Sequence, residues 1–117
     1  ARECLVLDPG YGFNKDSTQN FQLLARQQAL CGLGLPLLAG LSRKRCIAEA
    51  TGRQVAAERV AGSVAAHLIA VQQGAQIVRV HDVAATVDAL KVWQRVAALR
   101  PPAGMPESAS PAWPDEC

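Results

Sequence analysis

Two side chains that could bind an anion follow the third apolar run of the sequence. Arg79 and His81 are two residues apart in a predicted strand, so we expect both on one face, with Val80 on the other. A guanidinium holds phosphate oxygens through two parallel hydrogen bonds, and a neighbouring imidazole can donate another. The spacing therefore indicates an anion site. The alternative is a buried ion pair of Arg79 with Asp82 or Asp8.

Asp8 and Lys44 occupy comparable places after two earlier apolar runs. Asp8 could accept two N–H donors from the edge of a planar heterocycle, and Lys44 could reach a ring carbonyl or nitrogen as a point charge. Each also has a simpler interpretation: Asp8 precedes Pro9 and Gly10 and could form a local turn, and Lys44 could be a solvated loop lysine. In parallel α/β folds, however, the carboxyl ends of the strands form binding sites, so we expect these side chains to meet on one rim.

Other candidate motifs do not fit known chemistry. The glycine-rich stretch 10–15 (GYGFNK) has neither phosphate-loop nor dinucleotide-binding spacing, so it predicts a tight loop. His67 has no second ligand at four-residue spacing and is interpreted as a helix-face residue. No Ser-His or Cys-His arrangement indicates a covalent nucleophile. The cysteines form no C-x-x-C pair and are predicted to be free thiols; they are Cys4, Cys31, Cys46 and Cys117.

The elements that must position these residues repeat three times, each as a short apolar run, a polar cluster and a segment with helical periodicity. This pattern predicts an α/β fold of three βα units with parallel strands. The recurrence of about 35 residues matches a (β/α)8 TIM barrel, of which the three units would form three eighths. We predict strands at 3–7, 35–40 and 76–80, and helices from a cap at Ser17 or Thr18 to Gly32, at 55–73 and at 85–99.

Composition restricts the class of protein. The chain has 117 residues, 50% of them hydrophobic and 19% charged, with a formal net charge of +2. This balance predicts a globular domain over residues 1–100 without a nucleic-acid surface, and no run is long enough for a membrane helix. A cytoplasmic location is expected. Residues 101–117 are rich in proline and serine and predict a disordered tail. Because the chain starts without methionine, inside an apolar run, we expect that a preceding portion is missing.

Three segments together resemble consecutive motifs of the dihydropteroate synthase family: residues 7–15 (LDPGYGFNK), 40–44 (GLSRK) and 78–83 (VRVHDV). The likeness extends from about residue 4 to 96, including 58–63 (ERVAGS). It implies the sixth, seventh and eighth strands of a (β/α)8 barrel that transfers a pterin methylene group from diphosphate to p-aminobenzoate. Asn14 stands where many relatives have glycine, which is expected to stiffen the loop, and Arg45 stands where some have serine.

The resemblance also implies roles for individual residues. Asp8 and Lys44 are expected to bind the pterin, and Arg79 with His81 the diphosphate. The p-aminobenzoate pocket is expected at the N-terminus of a short helix. It would be bordered by Phe13, Ser42, Arg43 and Arg45. Magnesium is expected on the diphosphate, with its protein ligand outside this chain. The resemblance further implies a homodimer and inhibition by sulfonamides.

Two other functions remain open at this stage. One is a pterin-binding barrel of the methyltetrahydrofolate methyltransferase kind, which has no diphosphate to hold. The other is a truncated relative that binds pterin weakly or serves in dimerisation. Because the family keeps further pterin contacts and two mobile loops upstream, the chain alone is expected to show little or no catalysis.

Overall fold

A computed structural model describes residues 4–13 and 15–100 of the chain. These residues form an α/β structure that is mostly helical and contains a small parallel sheet. Strands β1 and β2 pair in parallel, with Leu38 opposite Ile77 and Ala39 opposite Val78. A parallel bridge joins Leu7 to Leu37 at the other side of β1. The elements are α1 (Ser17–Ala25), a 3₁₀ helix (Gln27–Leu33), β1 (Leu38–Ala39), α2 (Arg45–Thr51), a 3₁₀ helix (Ala56–Glu58), α3 (Val60–Gln72), β2 (Ile77–Val78) and α4 (Val83–Leu99).

The first predicted helix is divided into two. Its N-cap is Asp16 and not Ser17 or Thr18, because the Asp16 carboxylate accepts from the Gln19 backbone while the Gln19 side chain accepts from the Asp16 backbone. Helix α1 ends at Ala25, and a 3₁₀ helix follows. There the buried Gln27 accepts from the Tyr11 hydroxyl at 2.7 Å and donates to the Ala70 carbonyl at 2.9 Å. These long-range bonds accompany the change of helix type, which the local apolar spacing did not predict.

The helix predicted over residues 55–73 begins later, at Val60. Arg59 precedes it, and its guanidinium donates to the carbonyls of Arg53 and Gln54 at 2.9 and 2.6 Å. These bonds hold the 53–59 segment in an irregular conformation that contains only a short 3₁₀ turn. The predicted start at residue 55 was therefore wrong by five residues.

The strands are shorter than predicted, and the last helix is longer. Only two residues of each predicted strand at 35–40 and 76–80 are in ladder pairing, so Arg79 and His81 lie beyond the end of β2. Of the strand predicted over 3–7, the described part contributes the single bridge at Leu7. Helix α4 begins at Val83, two residues before the predicted start, with Asp82 in the N-cap position but without a capping bond from its side chain.

The core lies between the sheet and the helices that follow its strands. Its largest fully buried side chains include Tyr11, Leu37 and Leu41, and small alanines of α3 allow close packing. The apolar residues at helical spacing on α4 are only partly covered: Trp93 is half-buried, but Val87 and Val96 are 40% and 51% exposed. No helix among the described residues is long and apolar enough to cross a membrane. The predicted tail at 101–117, residues 1–3 and Asn14 lie outside the described residues.

Close packing of α2 against α3 leads to the first prediction. A Cβ added at Gly62 would lie 2.7 Å from Ile47 Cγ2 and 2.8 Å from Thr51 Cγ2. We therefore expect Gly62→Ala to lower the free energy of unfolding by about 1–3 kcal/mol, measured by urea denaturation. Gly32→Ala is the control, because a Cβ there meets nothing within 4 Å. Equal stability of the two variants would contradict the close helix contact.

Candidate functional site

Four polar residues predicted to meet lie at or just beyond the carboxyl ends of the parallel segments. We call Asp8, Lys44, Arg79 and His81 the rim residues. Lys44 is half-buried, and burial is the main cause that lowers the pKa of its ammonium group. The charge of Arg79 lowers this pKa further, whereas the charge of Asp8 raises it. Arg79 and Asp8 are thus close enough to Lys44 for their charges to act on its ammonium group.

The loop after Leu7 bends tightly around Lys44. Asp8 Oδ1 accepts from the Gly10 backbone N–H at 2.8 Å, so one carboxylate oxygen serves the predicted local turn. Gly10 and Gly12 have φ of 76° and 86°, a backbone region that glycine adopts without steric cost. Lys44 Nζ donates to the Tyr11 carbonyl. The loop therefore fixes the lysine while Asp8 stays exposed.

A second hydrogen bond attaches this loop to helix α1. The Gly12 backbone N–H donates to Asn20 Oδ1 at 2.8 Å, and the Asn20 side chain is buried. Lys15 Nζ donates to the carbonyls of Gly10 and Phe13 at 2.9 and 3.1 Å. Asn20 was not selected from the sequence, where an asparagine inside a helix gives no sign of its partner eight residues earlier.

Between this loop and α2 lies a pocket of about 440 Å³. Phe13 is 65% exposed on its wall, and its ring centroid lies 5.4 Å from Lys44 Nζ. Arg45 also lines the pocket and pairs with Glu49 at 3.1 Å. Ser42 and Arg43, predicted for the same pocket, are not on its wall. The lining residues are Tyr11, Gly12, Phe13, Lys15, Asp16, Ser17, Asn20, Lys44, Arg45, Cys46 and Glu49.

Arg43 instead joins the loop after β1 to the loop after β2. Its Nη2 and Nε donate to the two carboxylate oxygens of Asp82 at 2.7 and 3.2 Å. This bond lowers the pKa of Asp82 and raises that of Arg43. Arg43 has a φ of 57°, which is unusual for a residue with a side chain. Ser63 Oγ accepts from its N–H at 2.8 Å, and Arg59 Nη1 donates to its carbonyl at 2.9 Å.

The Arg43 pair overturns one alternative and leaves Arg79 available. Asp82 is the partner of Arg43, so the alternative in which it pairs with Arg79 is wrong. Among the described residues Arg79 forms no ion pair, with Asp8 or any other carboxylate. Its backbone N–H donates to the Ala39 carbonyl at 3.0 Å, and its guanidinium lies over Gly40. A Cβ on Gly40 would be only 2.7 Å from Arg79 Nη2.

His81 faces Ser42. Its backbone N–H donates to Ser42 Oγ at 3.1 Å, and its Nδ1 lies 2.8 Å from the same oxygen. Ser42 is 8% exposed, whereas His81 is exposed. Two of the residues predicted for different subsites, Ser42 and His81, are therefore in direct contact.

His67 is a buried structural residue, and its interpretation as a helix-face residue was incomplete. Its Nε2 accepts from the Leu41 backbone N–H at 3.0 Å, and its Nδ1 lies 2.8 Å from the Ser63 carbonyl. The side chain is fully buried, which lowers the pKa of the imidazole. His67 thus connects α3 to the segment that leads into Ser42 and Lys44. Its only sequence signal was a histidine among small apolar residues of one helix.

The described residues contain no group of three or more His, Cys, Asp or Glu side chains that could hold a metal ion. Their donor set therefore does not fit a metal bound by this part of the chain alone. Three cysteines of the described ranges are free thiols, as predicted: Cys4 is exposed, Cys31 half-buried and Cys46 buried. Burial raises the pKa of Cys46, so its thiol stays protonated and packs in the core.

Comparisons with known proteins agree on one family. Residues 1–81 match the model of the pterin-binding enzymes. Dihydropteroate synthase of Haemophilus influenzae is 52% identical over 96 residues, covering 82% of this chain and 34% of that protein. The structure of the Xanthomonas albilineans synthase with 7,8-dihydropteroate superposes with a TM-score of 0.81 at 64% identity, covering 82% of this chain and 37% of the other. The same enzyme with 4-aminobenzoic acid gives the same score and identity, with 35% of it covered. The chain thus spans about a third of the length of these relatives.

Proposed function

The chain belongs to the family of pterin-binding enzymes, and on that premise we propose that it is part of a dihydropteroate synthase. The reaction transfers the pterin methylene group from 7,8-dihydropterin diphosphate to the amine of p-aminobenzoate and releases diphosphate. The similarity to synthases that bind 7,8-dihydropteroate and 4-aminobenzoic acid supports this choice. Because the chain spans about a third of its relatives, we propose that the activity needs the remaining portion of the barrel.

Asp8 and Lys44 are the proposed pterin ligands. Asp8 uses one oxygen for the turn at Gly10, and its exposed carboxylate retains acceptor capacity for the N–H groups of an amino-pyrimidine edge. Lys44 donates a hydrogen bond to the Tyr11 carbonyl, and the charge of Asp8 acts on its ammonium group. From this position Lys44 can reach an acceptor atom of the pterin ring. These contacts orient the pterin so that its methylene group faces the p-aminobenzoate amine.

Arg79 and His81 are the proposed diphosphate ligands, and the availability of Arg79 is the observation that carries the assignment. An exposed arginine beside a second cation is electrostatically unfavourable unless an anion joins them, and Arg79 already lowers the pKa of Lys44. No carboxylate of the described residues occupies its guanidinium. A diphosphate group that leaves the pterin methylene would bind the Arg79 guanidinium, which would stabilise the negative charge that develops on it.

The pocket beside α2 is the proposed p-aminobenzoate site. Phe13 offers an apolar ring face and Lys44 supplies positive charge for a carboxylate, while the charge of Arg45 is paired with Glu49. Ser42 and Arg43 do not line this pocket and contact His81 and Asp82 instead. The reaction then requires orientation of two substrates and stabilisation of the departing anion, without a covalent nucleophile.

The finer architecture is also part of the proposal. We infer three βα units that form the last part of a (β/α)8 barrel, supported by the parallel bridge at Leu7 and the pairing of β1 with β2. The proposed domain comprises residues 1–100. We further propose a cytoplasmic homodimer that sulfonamides inhibit by competing for the p-aminobenzoate pocket. Magnesium is expected with the diphosphate, through a protein ligand outside this chain.

Product formation tests the proposed activity. The protein at its natural length should form dihydropteroate from dihydropterin diphosphate and p-aminobenzoate, as measured by chromatography of the product. The 117-residue chain alone should form none, because about two thirds of the relatives' length is absent from it. Asp8→Ala in the natural-length protein should lower turnover, with Asp88→Ala on α4 as a charge-matched control. Turnover by the isolated chain would contradict the need for the other barrel units.

A further inference from the structure

The hydroxyl of Ser42 contacts two different atoms of His81. It accepts from the His81 backbone N–H at 3.1 Å and lies 2.8 Å from the ring atom Nδ1. We propose that Ser42 is a positioning residue that keeps the imidazole proton of His81 on Nε2 and directs it towards the diphosphate. The inference rests on the proposed function, and it gives Ser42 a role that differs from lining the p-aminobenzoate pocket.

In the proposed arrangement each donor at this contact has an acceptor. A serine hydroxyl has one hydrogen to donate and two lone pairs to accept with. Ser42 Oγ accepts from the backbone N–H of His81, and in the proposed arrangement it donates its own hydrogen to Nδ1. A neutral imidazole that accepts at Nδ1 carries its proton on Nε2.

The neighbouring residue pair keeps this contact in register. Arg43 follows Ser42, Asp82 follows His81, and the two form a bidentate ion pair with distances of 2.7 and 3.2 Å. The backbone of Arg43 is itself fixed by Ser63 and Arg59 on α3 and the turn before it. The two strand-end loops are therefore held together at successive positions, and Ser42 cannot easily move away from His81.

The orientation matters because diphosphate offers only acceptors. Nε2 of His81 has no hydrogen-bond partner among the described residues, and the ring is exposed at the rim. With the proton on Nε2, the ring donates to a phosphate oxygen; with the proton on Nδ1, it would present a lone pair to the anion and repel it. Ser42 thereby complements the guanidinium of Arg79 without touching the diphosphate.

The test uses nitrogen-15 NMR of the natural-length protein labelled in histidine. Long-range proton–nitrogen correlations at neutral pH should show the His81 proton on Nε2 and a hydrogen-bonded Nδ1, with the signals assigned through His81→Gln. His67 provides an internal reference of the opposite kind, because its Nε2 accepts from Leu41 and its Nδ1 donates to the Ser63 carbonyl. We expect the proton on Nε2 in the absence of any ligand. This measurement can therefore support the role of Ser42 even if the synthase assignment fails.

Diphosphate titration of two Ser42 variants then tests whether the orientation of His81 affects diphosphate affinity. Ser42→Ala should abolish the hydrogen-bond shift at Nδ1 and weaken diphosphate binding about three- to tenfold, the effect of one lost hydrogen bond. Ser42→Thr, which restores the hydroxyl, should recover both. Thr86→Ala is the control, since it removes another buried hydroxyl, one that donates to the Asp82 carbonyl at 2.8 Å.

The outcomes are separable. A proton on Nδ1 in the unaltered protein, or unchanged diphosphate affinity in Ser42→Ala, would overturn the positioning role of Ser42. An equal loss in Thr86→Ala would also overturn it, because that loss would reflect general destabilisation. If the unaltered protein binds no diphosphate while the His81 proton lies on Nε2, the proposed function fails and the geometry of the pair stands.

Discussion

Arg79→Ala is expected to weaken diphosphate binding about 100-fold, because a bidentate charge-assisted contact contributes on the order of 3 kcal/mol. The Arg79 guanidinium is exposed and has no carboxylate partner among the described residues, so its removal should leave the fold intact. Arg79→Lys should bind with an intermediate affinity, since it keeps the charge but loses the planar fork. Isothermal titration calorimetry at a fixed ionic strength measures the diphosphate affinity of the unaltered protein and of both Arg79 variants.

Gly40→Ala examines the same contact without altering any charge. A Cβ at Gly40 would meet Arg79 Nη2 at 2.7 Å and Cζ at 3.1 Å, so the guanidinium must move. The atoms displaced belong to the end of a flexible side chain, and we therefore expect little change in the unfolding midpoint. Diphosphate affinity should nevertheless fall. A loss of diphosphate affinity without a loss of stability would indicate that diphosphate binding depends on the position of the Arg79 guanidinium as well as on its charge.

Arg95→Ala serves as the charge-matched control for both variants. Arg95 lies on the exposed side of α4, twelve residues beyond its first residue, which corresponds to about 18 Å along the helix. Its removal should change diphosphate affinity by less than about twofold at physiological salt, where charges at this distance are screened. Unchanged affinity in Arg79→Ala would contradict the diphosphate site and favour the methyltetrahydrofolate methyltransferase kind of pterin-binding barrel.

The sequence was sufficient to predict that the polar clusters follow the strands. Short apolar runs bounded by glycine, proline and charged residues identify strand ends, and parallel strands bring those ends together. The charge of Arg79 lowers the pKa of Lys44. Element boundaries were less predictable: the helix predicted over 55–73 starts at Val60, and the Arg59 guanidinium binds the Gln54 carbonyl that would have begun the longer helix.

The partners of the individual side chains could not be read from the sequence. Arg43 pairs with Asp82, which lies 39 residues away, and the same separation joins Ser42 to His81. Local spacing places a residue on a face of a strand or helix. It does not specify which of two neighbouring arginines forms the ion pair with a given carboxylate. Arg43 and Arg79 were equivalent on that basis. The left-handed backbone of Arg43, which turns its side chain towards Asp82, is likewise a property of the folded loop.

His67→Leu is expected to lower the free energy of unfolding by about 2–4 kcal/mol, although His67 touches no proposed substrate. Leucine has a similar volume but cannot accept the Leu41 backbone N–H, which would then be buried without a partner. Because Leu41 precedes Ser42 and Lys44, the variant should also weaken substrate binding. Urea denaturation at pH 7.5 measures the first effect. Ile69→Leu, at a 43% exposed position of the same helix, is the control and should change stability by less than about 0.5 kcal/mol.

The same residue should make stability depend on pH. Burial lowers the pKa of folded His67 below its ordinary value of 6.5, so between these two pKa values the unfolded chain binds a proton that the folded chain excludes. Stability contributed by the neutral imidazole is therefore complete above pH 6.5 and is lost as the pH falls below it, by at most about 1.4 kcal/mol per pH unit. His67→Leu should remove this part of the slope between pH 6.5 and 5. An identical slope in both proteins would mean that His67 accepts a proton without losing its bond to Leu41, which its Nε2 geometry does not allow.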